Sequence, residues 1–127
     1  MASSIYNVNS LSREVPNAQG MRIGIVVSEW SDNITSELAE GAISTLKKFG
    51  VADDDIIIRS VPGSFELVFG CAQMIKSGWV DGVIAIGCII RGDTPHFEYI
   101  STGVTQGISA LNKDNDVPVV FGVLTTN

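Results

Sequence analysis

The chain is poor in the residues that most often announce chemistry. Its 127 residues include one histidine, two cysteines and no run of lysine or arginine. A zinc site needs about four good ligands, and one histidine with no CxxC spacing supplies too few. Cys71 and Cys88 each lie in apolar stretches and read as buried thiols in a reducing cytoplasm rather than as a disulfide. Eight basic residues against fourteen acidic ones leave a net charge of −6, the wrong sign for the electrostatic footprint of a nucleic-acid binder. No apolar run approaches the ~20 residues of a membrane span; the longest are Ile23–Val27 and Val83–Ile90. The first twenty residues lack the charged start and apolar block of a secretory signal. Neither a Walker loop nor a GxGxxG after the first strand is present, so nucleotide-phosphate motifs are absent.

What remains is an ordinary globular composition, 45% hydrophobic and 17% charged, in a 13.5 kDa chain. That is the size of one domain, long enough to build a core without disulfides. Residues 1–20 are polar, contain Pro16 and Gly20, and read as an N-terminal arm with a short strand at Ile5–Val8. From Met21 to Asn127 the chain becomes regular. MRIGIVVS is β-branched and apolar, the pattern of a strand buried on both faces. NITSELAEGAISTLKKFG follows with a helical stripe of Ile34, Leu38, Ala42, Leu46 and Phe49. Asp32 or Ser31 can cap its start, and Lys47, Lys48 and Gly50 suit its end. A second strand spans Asp55–Val61. The next helix, SFELVFGCAQMIKSG, carries a stripe of Phe65, Val68, Phe69, Ala72 and Ile75. DGVIAIGCII is a third strand. HFEYISTGVTQGISALNK is a third helix, striped by Phe97, Ile100, Val104, Ile108 and Leu111, and VPVVFGVLTT is a fourth strand.

Strictly alternating strands and helices argue a three-layer α/β/α sandwich around a four-stranded parallel sheet, a flavodoxin-like arrangement plus the arm. Ligands of such folds bind at the carboxyl ends of the strands. Those ends are Ser28–Asp32, Val61–Phe65, Ile89–His96 and Leu124–Asn127. No helix follows the last strand in the sequence, so one of its faces is expected to be covered by another subunit or by a helix absent from the chain given. A receiver-like signalling domain shares the topology, but the strand ends SEWSD and GCIIRGD lack its acidic cluster and clean phosphoacceptor.

Three strand ends carry residues suited to chemistry. In GCIIRGDTPHFEYI, Thr94 is placed to cap the third helix and Pro95 to begin it. The amides of Gly92–Thr94 would then face an anion at a helix N-terminus. His96 sits in the first turn, where the helix dipole opposes protonation, and a neutral imidazole there can accept and return protons. A plain capped helix with a surface histidine uses the same residues. In VPGSFEL, Pro62-Gly63 exposes backbone, Ser64 can donate and accept, and Glu66 can either take hydrogen bonds from ligand hydroxyls or merely favour the helix start. Trp30, in SEWSDN, offers a flat surface for stacking or packs partly buried against a neighbour.

Together, GCIIRGDTPHFEYI, VPGSFEL and the closing FGVLTT resemble the 6,7-dimethyl-8-ribityllumazine synthases of riboflavin biosynthesis, over about Met21 to Asn127. The resemblance implies a reaction without cofactor. A ribitylamino-pyrimidine and 3,4-dihydroxy-2-butanone 4-phosphate condense through imine formation, phosphate elimination, ring closure and dehydration. It implies that Trp30 stacks on the pyrimidine, with Ser31 beside it. Ser64, Phe65 and Glu66 would line the ribityl chain, and the backbone of Ile89 and Ile90 would contact the ring. Gly92, Asp93 and Thr94 would form the phosphate turn and His96 would transfer protons. Phe121 would enter the site of an adjacent subunit. Asp93 departs from expectation by placing a carboxylate in the turn that holds a dianion. The family also continues past the fourth strand into helices that supply an arginine and a lysine near the phosphate, so a truncated sequence is expected here. Further implications are a homo-oligomer (a pentamer, or a sixty-subunit icosahedral shell), an arm exchanged with a neighbour, riboflavin synthase as a partner, and no nucleic-acid or membrane partner. A non-catalytic flavin-binding or shell-forming scaffold with the same fold is the alternative.

Overall fold

A computed structural model describes residues 15–127. The short strand expected at Ile5–Val8 lies outside the described residues, as does most of the arm. Four strands, β1 (Ile23–Ser28), β2 (Ile56–Val61), β3 (Gly82–Ile90) and β4 (Val119–Thr126), alternate with three helices, α1 (Asp32–Lys48), α2 (Leu67–Lys76) and α3 (His96–Asp114). The strands form one all-parallel sheet in the order β2-β1-β3-β4. The expected α/β architecture therefore holds. Among the described residues no helix is long and apolar enough to cross a membrane.

The two faces of the sheet follow from strand alternation. Ile25 points to one side, with Ile86, and packs with Ala39 of α1; Ala42, Ile43 and Leu46 add to that layer. Val26 points to the other, where it joins Leu67, Cys71 and Met74 of α2 and Val104 and Ile108 of α3. Fully burying a side chain of this kind contributes about 1.5–3 kcal/mol, so the central strand β1 is held from both faces. The α1 side of β4 is bare among the described residues: Val120 and Leu124 are exposed there.

Two helical stripes differ from expectation. α1 buries Thr35 and Ala39, while Leu38 is 40% exposed. The small residues face the sheet because Thr35 Oγ1 donates to the Ser28 carbonyl at 3.0 Å, drawing the first turn of α1 onto the end of β1. In α2 the buried residues are Leu67, Cys71 and Met74, and Phe65 and Phe69 face outward. The expected single helix there is split: Ser64–Glu66 is a 3₁₀ turn that feeds α2. The stripe of α3 is as expected, with Val104 and Ile108 buried and Phe97, Ile100 and Leu111 packed against them. Gly50 ends α1 with φ +103°, a conformation that favours glycine.

Both cysteines are buried free thiols. Burial pushes the Cys71 thiol up to about 12, because a thiolate there would lose its hydration. A raised folded value means that folding gains from the neutral thiol below the unfolded value near 9. That gain is lost as pH rises from there towards 12. At pH 8 the native protein should therefore react slowly with Ellman's reagent, and both thiols should react promptly once it is unfolded in guanidinium. A fast native reaction of two thiols would contradict the burial.

Candidate active site

The strand ends do converge. Val27 pairs with Ile86, so β3 runs on beyond the end of β1, and its last residues Ile89 and Ile90 pair with Thr125 and Thr126 of β4. The ladders continue past the strands on both sides. Glu29 N–H donates to the Val61 carbonyl at 2.8 Å and Trp30 N–H to the Pro62 carbonyl at 3.0 Å. Arg91 N–H donates to the Thr126 carbonyl at 2.8 Å. The main chain at Trp30 and at Arg91 is thus held as firmly as strand backbone. Between these two walls lies a cleft of about 220 Å³, lined by Trp30, Ser31, Ser64, Phe65, Cys88, Ile89, Ile90, His96, Phe97 and Ile100.

The first wall is the β1–α1 connection. Trp30 presents its ring at the mouth, 68% exposed. Ser31 occupies the cap position of α1 with φ 63° and ψ 45°, the left-handed region, and its side chain makes no capping bond. Non-glycine residues rarely hold this conformation, which costs on the order of 1 kcal/mol or more and is concentrated at functional sites. Here the carbonyl of Ser31 accepts from Ile34 N–H at 2.9 Å and Thr35 N–H at 3.1 Å, which fixes the strained residue in place.

The second wall is the β2–α2 connection. Ser64 is buried, and its hydroxyl donates to the Cys88 carbonyl at 3.2 Å, tying this loop to the end of β3. Gly87 makes that approach possible, since a Cβ there would lie 2.6 Å from Ser64 Oγ and 2.8 Å from Leu67 Cδ1. Phe65 stands out at the mouth. Glu66 does not line the cleft; its Oε1 accepts the Gly63 N–H at 2.9 Å, a capping-box bond that uses the carboxylate at the helix start.

The floor and far side come from β3 and α3. Ile89 is buried and Ile90 half-exposed at the strand end. α3 begins at His96, with Pro95 as its cap residue at φ −69° and ψ 2°. The helix starts where the HFEYIST segment does, but its cap lies one position later than the expected Thr94. A ψ near zero at Pro95 is outside the helical range, so helical pairing begins with its carbonyl, which accepts Glu98 N–H at 3.0 Å. Thr94 stays outside the helix, and its Oγ1 accepts only a long 3.4 Å bond from His96 N–H. The imidazole of His96 lines the cleft with Phe97 and Ile100, one helical turn apart on the same face.

Seven of the twelve residues expected at the site are thus brought together: Trp30, Ser31, Ser64, Phe65, Ile89, Ile90 and His96. Gly92, Asp93 and Thr94 form an exposed turn beside the cleft rather than part of its lining. Phe121 pairs with Ala85, four residues back along the ladder from Ile89, and is remote from this protomer's cleft. The sequence reading missed Cys88, Phe97 and Ile100, although their neighbours Ile89 and His96 pointed to the same strand end and helix face. Outside the lining, the Arg91 guanidinium lies 4.5 Å from the centre of the Phe97 ring and its Nη1 4.0 Å from Glu98 Oε1. The cleft therefore offers an imidazole, one buried hydroxyl, aromatic surfaces and strand-end backbone. That set suits a flat polar substrate and proton transfer. Among the described residues no cluster of His, Cys, Asp and Glu could hold a metal ion.

Comparison with known proteins bears on the same stretch of chain. The family model for 6,7-dimethyl-8-ribityllumazine synthase matches residues 20–127. A 6,7-dimethyl-8-ribityllumazine synthase of Phocaeicola vulgatus is 61% identical over all of this chain, which covers 76% of that protein. One of Porphyromonas gingivalis is 54% identical over 99% of this chain and 79% of its own length. One of Parabacteroides distasonis is 50% identical over all of this chain and 80% of its own length.

Proposed function

The chain belongs to the 6,7-dimethyl-8-ribityllumazine synthase family, and from that premise we propose how its strand-end cleft carries out the family's reaction. The protein is an enzyme of riboflavin biosynthesis, a transferase that condenses 5-amino-6-(D-ribitylamino)uracil with 3,4-dihydroxy-2-butanone 4-phosphate to 6,7-dimethyl-8-ribityllumazine. Phosphate and water leave. Family membership also brings substrate binding and homo-oligomeric assembly.

The observation that carries the assignment of roles is that Trp30, Ser64 and His96, from three separate connections, line one cleft. In this reading the pyrimidine lies on the Trp30 ring, with Ser31 at its polar edge and the backbone of Ile89 and Ile90 along the other. The ribityl chain runs past Ser64 and Phe65 towards Glu66. The phosphate of the second substrate meets the exposed turn Gly92–Thr94. His96, beside that turn, moves protons during imine formation, phosphate elimination and dehydration. Holding two reactants in register replaces much of the entropic cost of their meeting, and no cofactor is needed. Phe121, exposed on β4, serves the cleft of an adjacent subunit. A pentamer or an icosahedral shell, residence in the cytoplasm and an association with riboflavin synthase belong to this proposal too.

The test is product formation. The chain is mixed with both substrates, and lumazine absorbance is followed against the uncatalysed background. A catalysed rate is expected. Quenching of tryptophan fluorescence by riboflavin with no rate above background would instead favour the non-catalytic flavin-binding scaffold.

A further inference from the structure

Gly63 lies between two of the groups assigned to substrate and touches both. It is buried and extended, with φ −135° and ψ 176°, directly before the 3₁₀ turn that carries Ser64. Its N–H donates to Glu66 Oε1 at 2.9 Å. A Cβ at this position would lie 2.6 Å from Cε3 and 2.7 Å from Cζ3 of the Trp30 ring, and 3.2 Å from Glu66 Oε1. Real Cβ atoms do not come that close, so the benzo edge of the indole occupies the space that any side chain would need.

Trp30 is mostly open to solvent. Its main chain is fixed by the bond to the Pro62 carbonyl, but the ring is mostly exposed. A long side chain at the surface samples several rotamers unless something limits it. The bare backbone of Gly63 is the surface the ring lies against. We propose that Gly63 is a positioning residue for this reaction: its missing side chain sets the plane of the Trp30 ring and so the recognition of the flat heterocyclic substrate. The inference rests on the proposed role of Trp30 as a stacking surface and assigns the residue that makes it effective.

Gly63→Ala separates this role from a merely structural one. An extended φ of −135° is open to alanine, so the backbone is not strained by the change. The atoms in the way belong to an exposed ring that can swing out. The melting temperature should therefore stay within about 2 °C, in the small range of surface substitutions. The KM for the ribitylamino-pyrimidine should rise about five- to fiftyfold, the range that partial loss of base stacking supports. The KM for the butanone phosphate should change less than about twofold, since uniform binding of one substrate has been weakened.

Two further variants distinguish the ways this can fail. Trp30→Ala tests the parent reading. If it leaves the pyrimidine KM unchanged, the stacking role falls and this inference falls with it. If Trp30→Ala raises that KM and Gly63→Ala does not, the stacking role stands and the inference about Gly63 is wrong. Trp30→Phe removes the benzo edge while keeping an aromatic face. In that background Gly63→Ala should add less than about twofold to KM, and the double variant should fold normally even if Gly63→Ala alone does not. An undiminished effect, or a double variant that also fails to fold, would overturn the proposal by showing that Gly63 acts through something other than the Trp30 ring.

Discussion

Replacing His96 with alanine should lower turnover by about 10²–10⁴-fold, the usual worth of a positioned proton-transfer group, while the ribitylamino-pyrimidine still binds. The argument starts from scarcity. His96 is the only histidine of the chain, and the fold sets it in the first turn of α3, lining the cleft opposite the Trp30 wall. The remaining lining offers apolar surface, hydroxyls and a buried thiol, and among side chains an imidazole is the commonest general acid–base. The imidazole is exposed and packs into neither core layer. Its loss should leave stability within about 0.5 kcal/mol, and any fall in rate then reports chemistry. Steady-state lumazine formation gives kcat, and quenching of tryptophan fluorescence by the pyrimidine gives binding. An unchanged kcat would remove His96 from the reaction. A fall in binding alone would make it a contact residue.

Leu67→Ala should carry the largest cost to the fold, about 2–5 kcal/mol. Leu67 is fully buried at the start of α2, in one cluster with Val26, Cys71, Ala85 and Val104. Its Cδ1 fills the space over Gly87 that a side chain would otherwise occupy. Truncation would open a void beneath Ser64, between the second wall of the cleft and β3. At about 4 °C per kcal/mol for a domain of this size, the melting temperature should fall by roughly 8–20 °C. Leu38→Ala is the natural comparison. The periodicity of α1 places Leu38 in the core, but the fold leaves it 40% exposed, and its removal should cost about 1 kcal/mol or less. Differential scanning calorimetry of the two variants decides the matter; equal losses would contradict the packing described above.

The pair also shows where the sequence could be read and where it could not. The order of elements was legible because hydrophobic period changes from runs to stripes at each boundary, and because every strand ends in a polar or glycine-rich break. The parallel sheet followed from that alternation, and the site followed from the sheet, since ligands of such folds bind at the carboxyl ends of the strands. That is why Trp30, Ser64 and His96 could be placed in one cleft while lying far apart in the chain. The faces of α1 and α2 were not legible. Each helix has apolar residues on more than one side, and period alone cannot say which side meets the sheet. In α1 the choice is made by Thr35, a polar residue that faces inward because its hydroxyl reaches the Ser28 carbonyl. In α2 it is made by Gly87, whose bare backbone admits Leu67 and leaves Phe65 and Phe69 outside. Gly63 escaped notice for a related reason: its contribution is an absent side chain, visible only once the Trp30 ring is seen to occupy the space.

The strand order carries a consequence for how the molecule is made. β1 is synthesised first and is central, and its two partners arrive at different times. Val27 pairs with Ser60 of β2 and with Ile86 of β3. On a ribosome adding about 5–20 residues per second, β2 is complete and α2 emerges while the other edge of β1 still waits for its neighbour. During those seconds Ile25 and Val26 have at most one of their two native neighbours, and an unpaired strand edge is prone to wrong pairing. The edge closes only when Gly82–Ile90 appears, and the cleft closes later still, when the turn at Arg91–Pro95 delivers the first turn of α3. The cleft thus waits for the last of the three connections that line it. A slowing of translation just after β2 would lengthen the dangerous interval, whereas one placed after β3 would not.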